Sequence, residues 1–401
     1  MTEALIDPVI FNPYDYDFHD DPYPTYQRLR DESPIYHNKD VGFWALSRYS
    51  DVQGAFKDNK RLSSANGVSL DPAAYGPHAH YVMSFLAMDD PRHMRLRQLV
   101  SRGFTPRRVA EMDGRILELT RQHLTPALAS GEFDWISEVA GKLPMDVISE
   151  LMGVPEPDRA ELRRKADLVV HREDGVLDVP PAAVEASISL MGYYKDMIAE
   201  RRRSRTDDLT SALLDAEIDG DKLSDQEILG FMFLMVVAGN ETTTKLLGNA
   251  LYWGSHNRDQ LSPVFDDPDR ASEWVDETLR YDTSSQIVAR TTVVDLEYYG
   301  RCVPAGEKML LLIGSANRDS DVFEDADEFR LGRGASNKLA SFGAGVHFCL
   351  GAHLAKLEAK IALAEFARQV SDYEVDESGI ERVHSTNVRG FAALPVKVQV
   401  R

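Results

Sequence analysis

Apolar positions along this chain repeat with two different periods. From about residue 90 to 282 they recur at three- and four-residue intervals, which predicts helix, with Asp90-Pro91, Thr105-Pro106 and Ser224 as start signals. Upstream, Asp21-Pro22 opens a helical stretch to about Arg30. Pro34 to Ser47 then predicts a hairpin, because Ile35, Tyr36, Phe43, Trp44 and Leu46 flank a polar Asn38-Lys39-Asp40 turn. Short alternating segments dominate residues 285–312 and 373–400, with β-branched runs such as Val293-Val294 and Val396 to Val400, and a helix from 351 to about 369 separates them. Phe329 to Ser341, rich in Gly, Arg, Asn and Ser, predicts irregular backbone. The pattern describes a mainly α fold with small β-sheets at its edges.

One predicted helix stands out. Ser224 to about Trp253 gives a helix of about 30 residues, roughly 45 Å long at 1.5 Å per residue. Its middle is costly. Gly239, Asn240, Thr242, Thr243 and Thr244 are poor helix formers and together sacrifice roughly 3 kcal/mol relative to alanine. A helix that only filled a core has no reason to carry them.

Composition narrows the possibilities. No Gly/Ser-rich linker, low-complexity run or internal repeat divides the 401 residues, so residues 1–401 are expected to form a single domain. The formal charge of −20 argues against a nucleic-acid partner, which needs a surplus of Lys and Arg. Arg92, Arg95, Arg97, Arg102, Arg107 and Arg108 nevertheless crowd one stretch, which reads either as a basic island or as a solvated helix face. Two cysteines, Cys302 and Cys349, provide no disulfide framework, and Met1 to Asp7 lacks the basic and apolar regions of a secretory signal. The longest apolar stretch, Ile228 to Val237, is far short of the roughly 20 residues that cross a bilayer. These features lead to the expectation of a cytoplasmic monomer with no membrane anchor.

The densest chemistry lies in Phe342-Gly343-Ala344-Gly345-Val346-His347-Phe348-Cys349-Leu350-Gly351, a glycine-punctuated loop running into the helix predicted from 351. A thiol just before a helix amino terminus has backbone N–H groups and a positive dipole end nearby, which favour its anion. Glycines at 343, 345 and 351 permit turns closed to other residues and allow close approach to something large and flat. A lone thiol is ordinarily a buried structural cysteine. The loop around this one points instead to a thiolate metal ligand.

Those residues resemble the haem-ligand signature Phe-Gly-x-Gly-x-His-x-Cys-x-Gly of the cytochrome P450 superfamily, continued by Leu354-Ala355. The resemblance extends to Ala238-Gly-Asn-Glu-Thr242, to Glu277 and Arg280 as Glu-x-x-Arg, and to His93 and Arg97 as His-x-x-x-Arg, all in the family's order. It implies the cytochrome P450 fold and a haem b whose iron takes the Cys349 thiolate as fifth ligand, with Phe342, Gly343, Gly351 and Ala238 beside it. His93, Arg97, Arg290 and His347 match positions that contact the haem propionates. Glu241 and Thr242 would deliver protons to bound dioxygen at a local opening of the central helix, Thr242 choosing between Ala238 and the oxygen. Glu277 and Arg280, joined by Arg333, would be buried under the cysteine loop and serve folding and haem retention. The implied activity is a monooxygenase that hydroxylates a hydrophobic small molecule such as a fatty acid, terpenoid or steroid, within walls formed by Val68 to Met83, Val236, Val237, Ile287, Val288 and the Phe391 turn. Electrons would come from a ferredoxin and its NAD(P)H-dependent reductase, docking near the Arg92 to Arg108 cluster. A peroxide-driven peroxygenase and a non-catalytic haem-thiolate binder or sensor are the competing readings.

Overall fold

A computed structural model describes residues 9–103, 106–171, 173, 176 and 179–401. Its longest element is the helix Asp225–His256, 32 residues and therefore about 48 Å. The Ser224 hydroxyl accepts from Glu227 N–H while the Glu227 carboxylate accepts from Ser224 N–H, a reciprocal cap that fixes where the helix begins. Helices Lys142–Met152, Glu156–Val170, Pro181–Arg203, Ala271–Tyr281 and Ala352–Gln369 all pack against it. Trp135 and Trp274 are fully buried on it and donate their indole N–H groups to its Leu247 and Ala250 carbonyls. The helical backbone runs unbroken through Gly239 and Thr244, so the local opening implied by the resemblance is not seen.

The predicted hairpin forms from Ile35–Asn38 and Phe43–Leu46, paired antiparallel. It extends into a five-stranded sheet through Lys308–Leu312, parallel to Phe43–Leu46, and then Ile287–Thr292 and Leu62–Ser63. This sheet is buried on both faces, and strand alternation sorts its side chains. Met309 and Leu311 join Leu46 and Phe56 in one core, whereas Leu310, Leu312, Ile287 and Ala289 join Phe11, Tyr26 and Leu29 in another. A second sheet pairs Val370–Val375, Pro395–Val400 and Glu132–Asp134.

Some sequence expectations shift. Val293 and Val294 lie in a bend between strands and are exposed, because Ile287–Thr292 ends before them. The helical region is interrupted by the strand Glu132–Asp134 and the hairpin Glu217–Ile218 with Asp221–Lys222. Thr105 and Met1 to Asp7 fall outside the described residues. Among the described residues, no helix is long and apolar enough to cross a membrane.

Candidate functional site

The cysteine loop is held from two sides. Cys349 N–H donates to the Phe342 carbonyl at 2.9 Å, and Gly343 and Gly345 adopt φ of 66° and 68°, a region costly for other residues. A Cβ on Gly345 would stand 2.9 Å from the Phe56 carbonyl oxygen and one on Gly343 3.4 Å from the Phe56 ring, so the flat neighbour of this loop within the protein is Phe56, in the helix Tyr49–Lys57. Gly351 differs from the expectation: its φ is −86°, and it needs no glycine freedom. A side chain there would project into open space, on the wall of a cavity of about 270 Å³.

Cys349 opens into that cavity. Burial pushes its thiol up, opposed by the N–H groups of Gly351 and Ala352 and by the Arg97 guanidinium. The helix terminus therefore helps the anion, as anticipated, but does not by itself outweigh desolvation. A positive centre on the cavity side is what a thiolate here calls for.

Along one edge of the same cavity Arg97, Arg290 and His347 line the wall with few acceptors, and His93 packs against His347. His93 and His347 stack with ring centroids 4.1 Å apart. His93 is buried, neither of its ring nitrogens has a hydrogen-bond partner, and the nearest acid is Asp90 Oδ1 at 3.5 Å. Arg97 donates Nη2 to the Phe348 carbonyl at 2.6 Å and leaves Nη1 unmatched. Arg290, 4% exposed, makes a single hydrogen bond, to the Ala289 carbonyl of its own strand. Its guanidinium is pushed down to about 10, chiefly by burial. Burial and the charges of Arg290, His93 and Arg97 hold His347 down at about 3. Two guanidiniums and two imidazoles converging from three segments fit the two carboxylates of a haem, Arg97 and Arg290 supplying the positive charge and His93 and His347 ring nitrogens for hydrogen bonds. Asp89, which opposes the shift of Arg290, is already bonded to Ser63 and Ser64.

The central helix supplies the facing wall through Phe231, Leu234, Met235, Ala238, Thr242 and Leu246. Thr242 Oγ1 donates to the Ala238 carbonyl at 2.8 Å, the back-bond expected of it. Glu241 is turned about 100° away and is not on the cavity wall. It is 1% exposed and ion-paired to Lys245 Nζ at 3.2 Å. Burial pushes Glu241 up to about 8, with the neighbouring Asp167 carboxyl adding to the rise against the pull of Lys245. Neither of its oxygens has a donor in hydrogen-bond geometry, and the same holds for the Asn240 amide and the Thr244 hydroxyl.

Several expected wall residues lie elsewhere. Val68 and Val288 do line the cavity. Ile287 does not, because consecutive strand residues face opposite ways: Val288 and Arg290 point to the cavity while Ile287 joins the Phe11 core. Val236 and Val237 are off the 231–235–238–242 face of the helix and pack into the main core. Phe391 is fully buried between Tyr252 and Arg382, with ring centroids at 4.9 Å and the guanidinium at 4.3 Å. Phe85, Leu86, Pro144 and Ile148 take their place. The helical part of the wall was readable by stepping back four, three and four residues from Thr242; Phe85 and Ile148 arrive by tertiary contact.

Glu277 and Arg280 form a buried bidentate pair at 2.7 and 2.9 Å, and Arg333 Nε adds a contact to Glu277 at 3.1 Å. The remaining Arg280 donors reach the carbonyls of Asn317, Ala326 and Glu328. Sequence reading overlooked Glu358, on the helix after Cys349. It is 3% exposed on the cavity wall, Oε2 has no partner, and burial alone pushes it up to about 8.

The basic stretch is smaller than its composition. Arg95 is clasped by Asp221 and Glu227, Arg107 pairs with Glu111, and Arg97 points into the cavity; Arg92 and Arg102 are exposed. Nothing is described of the Arg108 side chain.

Comparison with known proteins meets this geometry. A cytochrome P450 family model matches residues 271–400. A Mycobacterium tuberculosis protein provisionally named cytochrome P450 123 is 60% identical over the whole of both chains. The vitamin D(3) 25-hydroxylase of Pseudonocardia autotrophica is 37% identical, covering 96% of this chain and 95% of its own. Among solved structures, CYP109E1 from Bacillus megaterium in complex with corticosterone superposes with a TM-score of 0.84 at 29% identity, over 95% of this chain and 99% of its own.

Proposed function

Because the chain belongs to the cytochrome P450 superfamily of monooxygenases, we propose that it hydroxylates a hydrophobic small molecule with electrons from a ferredoxin and its NAD(P)H-dependent reductase. One observation carries the reading: a loop thiol, the incompletely bonded donors of Arg97, Arg290 and His347, and the Thr242 face of the central helix share one cavity. When bound, a haem supplies the oxidising chemistry, in which O2, two electrons and two protons convert RH to ROH and water.

The polypeptide contributes everything else. Cys349 ligates the iron, with the N–H groups of Gly351 and Ala352 steadying its charge. His93, Arg97, Arg290 and His347 bind the propionates, and Phe342, Gly343, Gly351 and Ala238 bound the space for the ring. Thr242 holds a proton at Oγ1 that it can turn from the Ala238 carbonyl into the cavity, and Glu241 replenishes it. Phe85, Leu86, Phe231, Leu234, Met235 and Val288 keep water from the reacting C–H bond and favour an apolar guest. The vitamin D(3) hydroxylase and the corticosterone-bound relative support a steroid or secosteroid within that class. Glu277, Arg280 and Arg333 act in folding and haem retention.

The test is reconstitution with haem, a surrogate ferredoxin and its reductase, and a panel of steroids, terpenoids and fatty acids screened for displacement of iron-bound water. Hydroxylated product from a binding ligand is expected. A red-shifted ferrous–carbonyl band, lost in Cys349→Ser, checks the ligand. Product formed equally well with peroxide and without reductase would favour a peroxygenase, and tight ligand binding without turnover a sensor.

A further inference from the structure

Two hydroxyls on the cavity wall are answered within the protein. Thr242 Oγ1 donates to the Ala238 carbonyl, and Ser341 Oγ donates to the Leu279 carbonyl at 2.6 Å while accepting from Asn317. Ser284 is not answered. It lines the cavity between Thr283 and Ser285, is 4% exposed, and its Oγ has no partner in the protein. Its main chain, by contrast, is fixed: the Ser284 carbonyl accepts from Arg389 N–H at 2.8 Å, Ser285 bridges to Val388, and Gln286 N–H donates to the Asn387 carbonyl at 2.8 Å. Three successive hydroxyl side chains, Thr283, Ser284 and Ser285, thus sit on a tied-down stretch of the wall that leads into the strand carrying Val288 and Arg290.

A buried hydroxyl with nothing to bond has given up its hydration without return, and an otherwise apolar wall has no packing reason to carry one. A haem does not supply the missing partner. Its polar groups are two carboxylates, already met by Arg97, Arg290 and the two histidines, and the rest of its rim is hydrocarbon. The guest is left to answer Ser284. A serine hydroxyl both donates and accepts, so it matches an alcohol or a carbonyl. A carboxylate matches poorly because it calls for a cation. Among the described residues the guanidiniums on the wall are Arg97 and Arg290, and nearby Arg389 is already joined to Asp282 at 2.9 Å. Asp282 in turn accepts from Tyr23 and Trp253.

We infer that Ser284, flanked by Thr283 and Ser285, binds an uncharged oxygen function of the guest, so that the substrate is an apolar molecule carrying an alcohol or a ketone rather than a plain hydrocarbon or a free fatty acid. The inference rests on the reading of this cavity as the place where an apolar guest is hydroxylated, and it narrows the class of that guest. A site built around a hydroxyl disfavours the analogue that lacks a partner for it, because the site's own buried group is left unpaired. Anchoring one end also limits which carbons the rest of the guest presents for oxidation.

The experiment titrates the haem-loaded wild type and Ser284→Ala with guests that share a skeleton and differ in their polar group, and follows displacement of iron-bound water. The probes are adamantane, adamantanol, adamantanone and adamantane carboxylate, with androstane and androstanone as a longer pair. Ser284→Ala is expected to keep its haem and ferrous–carbonyl band, to weaken the alcohol and the ketones about five- to ten-fold, and to leave the hydrocarbons as in wild type. The carboxylate binds more weakly than the alcohol in wild type. With a surrogate ferredoxin and its reductase, androstanone gives more positional products in Ser284→Ala than in wild type. Equal weakening of hydrocarbon and alcohol makes Ser284 a packing contact and overturns the inference, as does a carboxylate that binds tightest. Haem loss in Ser284→Ala assigns the hydroxyl to the cofactor and overturns it too. If Ser284→Ala binds every probe as wild type does while product still forms, the inference falls and the hydroxylase reading stands. If no probe displaces the water and none is oxidised, the apolar-guest reading falls and takes the inference with it.

Discussion

Two buried acid–base clusters flank the cavity and look alike in composition, yet they are finished differently. Glu277 accepts from Arg280 through two nitrogens, from Arg333 Nε and from the Arg330 backbone N–H, so its oxygens are fully occupied. Glu241 meets one ammonium, that of Lys245 at 3.2 Å, and neither of its oxygens has a donor in hydrogen-bond geometry. Saturated hydrogen bonding locks a buried charge in place, whereas an incompletely bonded carboxyl pushed up to about 8 can take and lose a proton near neutral pH. The first arrangement suits a joint and the second a relay.

The same kind of substitution should therefore have opposite signatures in the two clusters. Arg280→Ala leaves Glu277 with only Arg333 and the Arg330 N–H and strands three backbone carbonyls, with an expected cost of about 3 to 5 kcal/mol. Little haem-loaded protein is expected, and urea denaturation of what is recovered measures the loss; a wild-type yield and midpoint would erase the contrast. Glu241→Gln, in an equally buried place, should fold and hold haem but turn over about 100-fold more slowly, within the range for losing a general acid. Thr242→Ala sharpens this result: NAD(P)H consumption continues while peroxide replaces product. Equal haem loss from Arg280→Ala and Glu241→Gln would mean that both clusters are structural.

How much of this was readable beforehand follows the same divide. The cysteine loop, Glu277 with Arg280, and the hairpin around Asn38 are local, because their meaning lies in glycine φ angles, an i,i+3 step and a period-two pattern. Arg333 could be anticipated only through resemblance, and the structure puts it on Glu277. The Glu241 surroundings were not readable. Lys245 at i+4 was visible in principle, but Asp167 comes from a helix more than seventy positions upstream, and no periodicity announces that crossing. Errors on the cavity wall came from register: a one-residue step on a strand or a 100° step on a helix separates Val288 from Ile287 and Met235 from Val236.

Glu358 offers a smaller test, because burial is the sole cause of its shift and no ion pair complicates its removal. A carboxyl raised from its ordinary value to about 8 binds its proton more tightly in the folded state than in the unfolded one. Its contribution to stability is thus fully present at acid pH, below the unfolded value. It is lost as pH rises from the unfolded value to about 8, at up to about 1.4 kcal/mol per pH unit. Glu358→Gln should flatten the fall in stability between pH 5 and 8 by roughly that slope, measured by denaturation of the haem-loaded protein at several pH values. An unchanged slope would show that Glu358 is ionised in the fold and has a cationic partner, which would bring it closer to Glu277 than to Glu241.

The surface gives the weakest expected effect, and here too the state of pairing decides. Arg95 and Arg107 already spend their charge on Asp221, Glu227 and Glu111, whereas Arg92 and Arg102 are exposed. On a chain of net charge −20, two such arginines are a small positive feature for an acidic electron-donor protein, and exposed charges act mainly on association rate. Arg92→Glu with Arg102→Glu should slow reduction by ferredoxin a few-fold at low ionic strength and leave it nearly unchanged at high salt, where screening hides the difference. Reversal of Arg107, whose charge its neighbour already answers, should do less. Stopped-flow reduction across a salt series measures both, and equal slowing by the paired and the exposed arginines would mean that pairing within the protein does not govern what a partner feels.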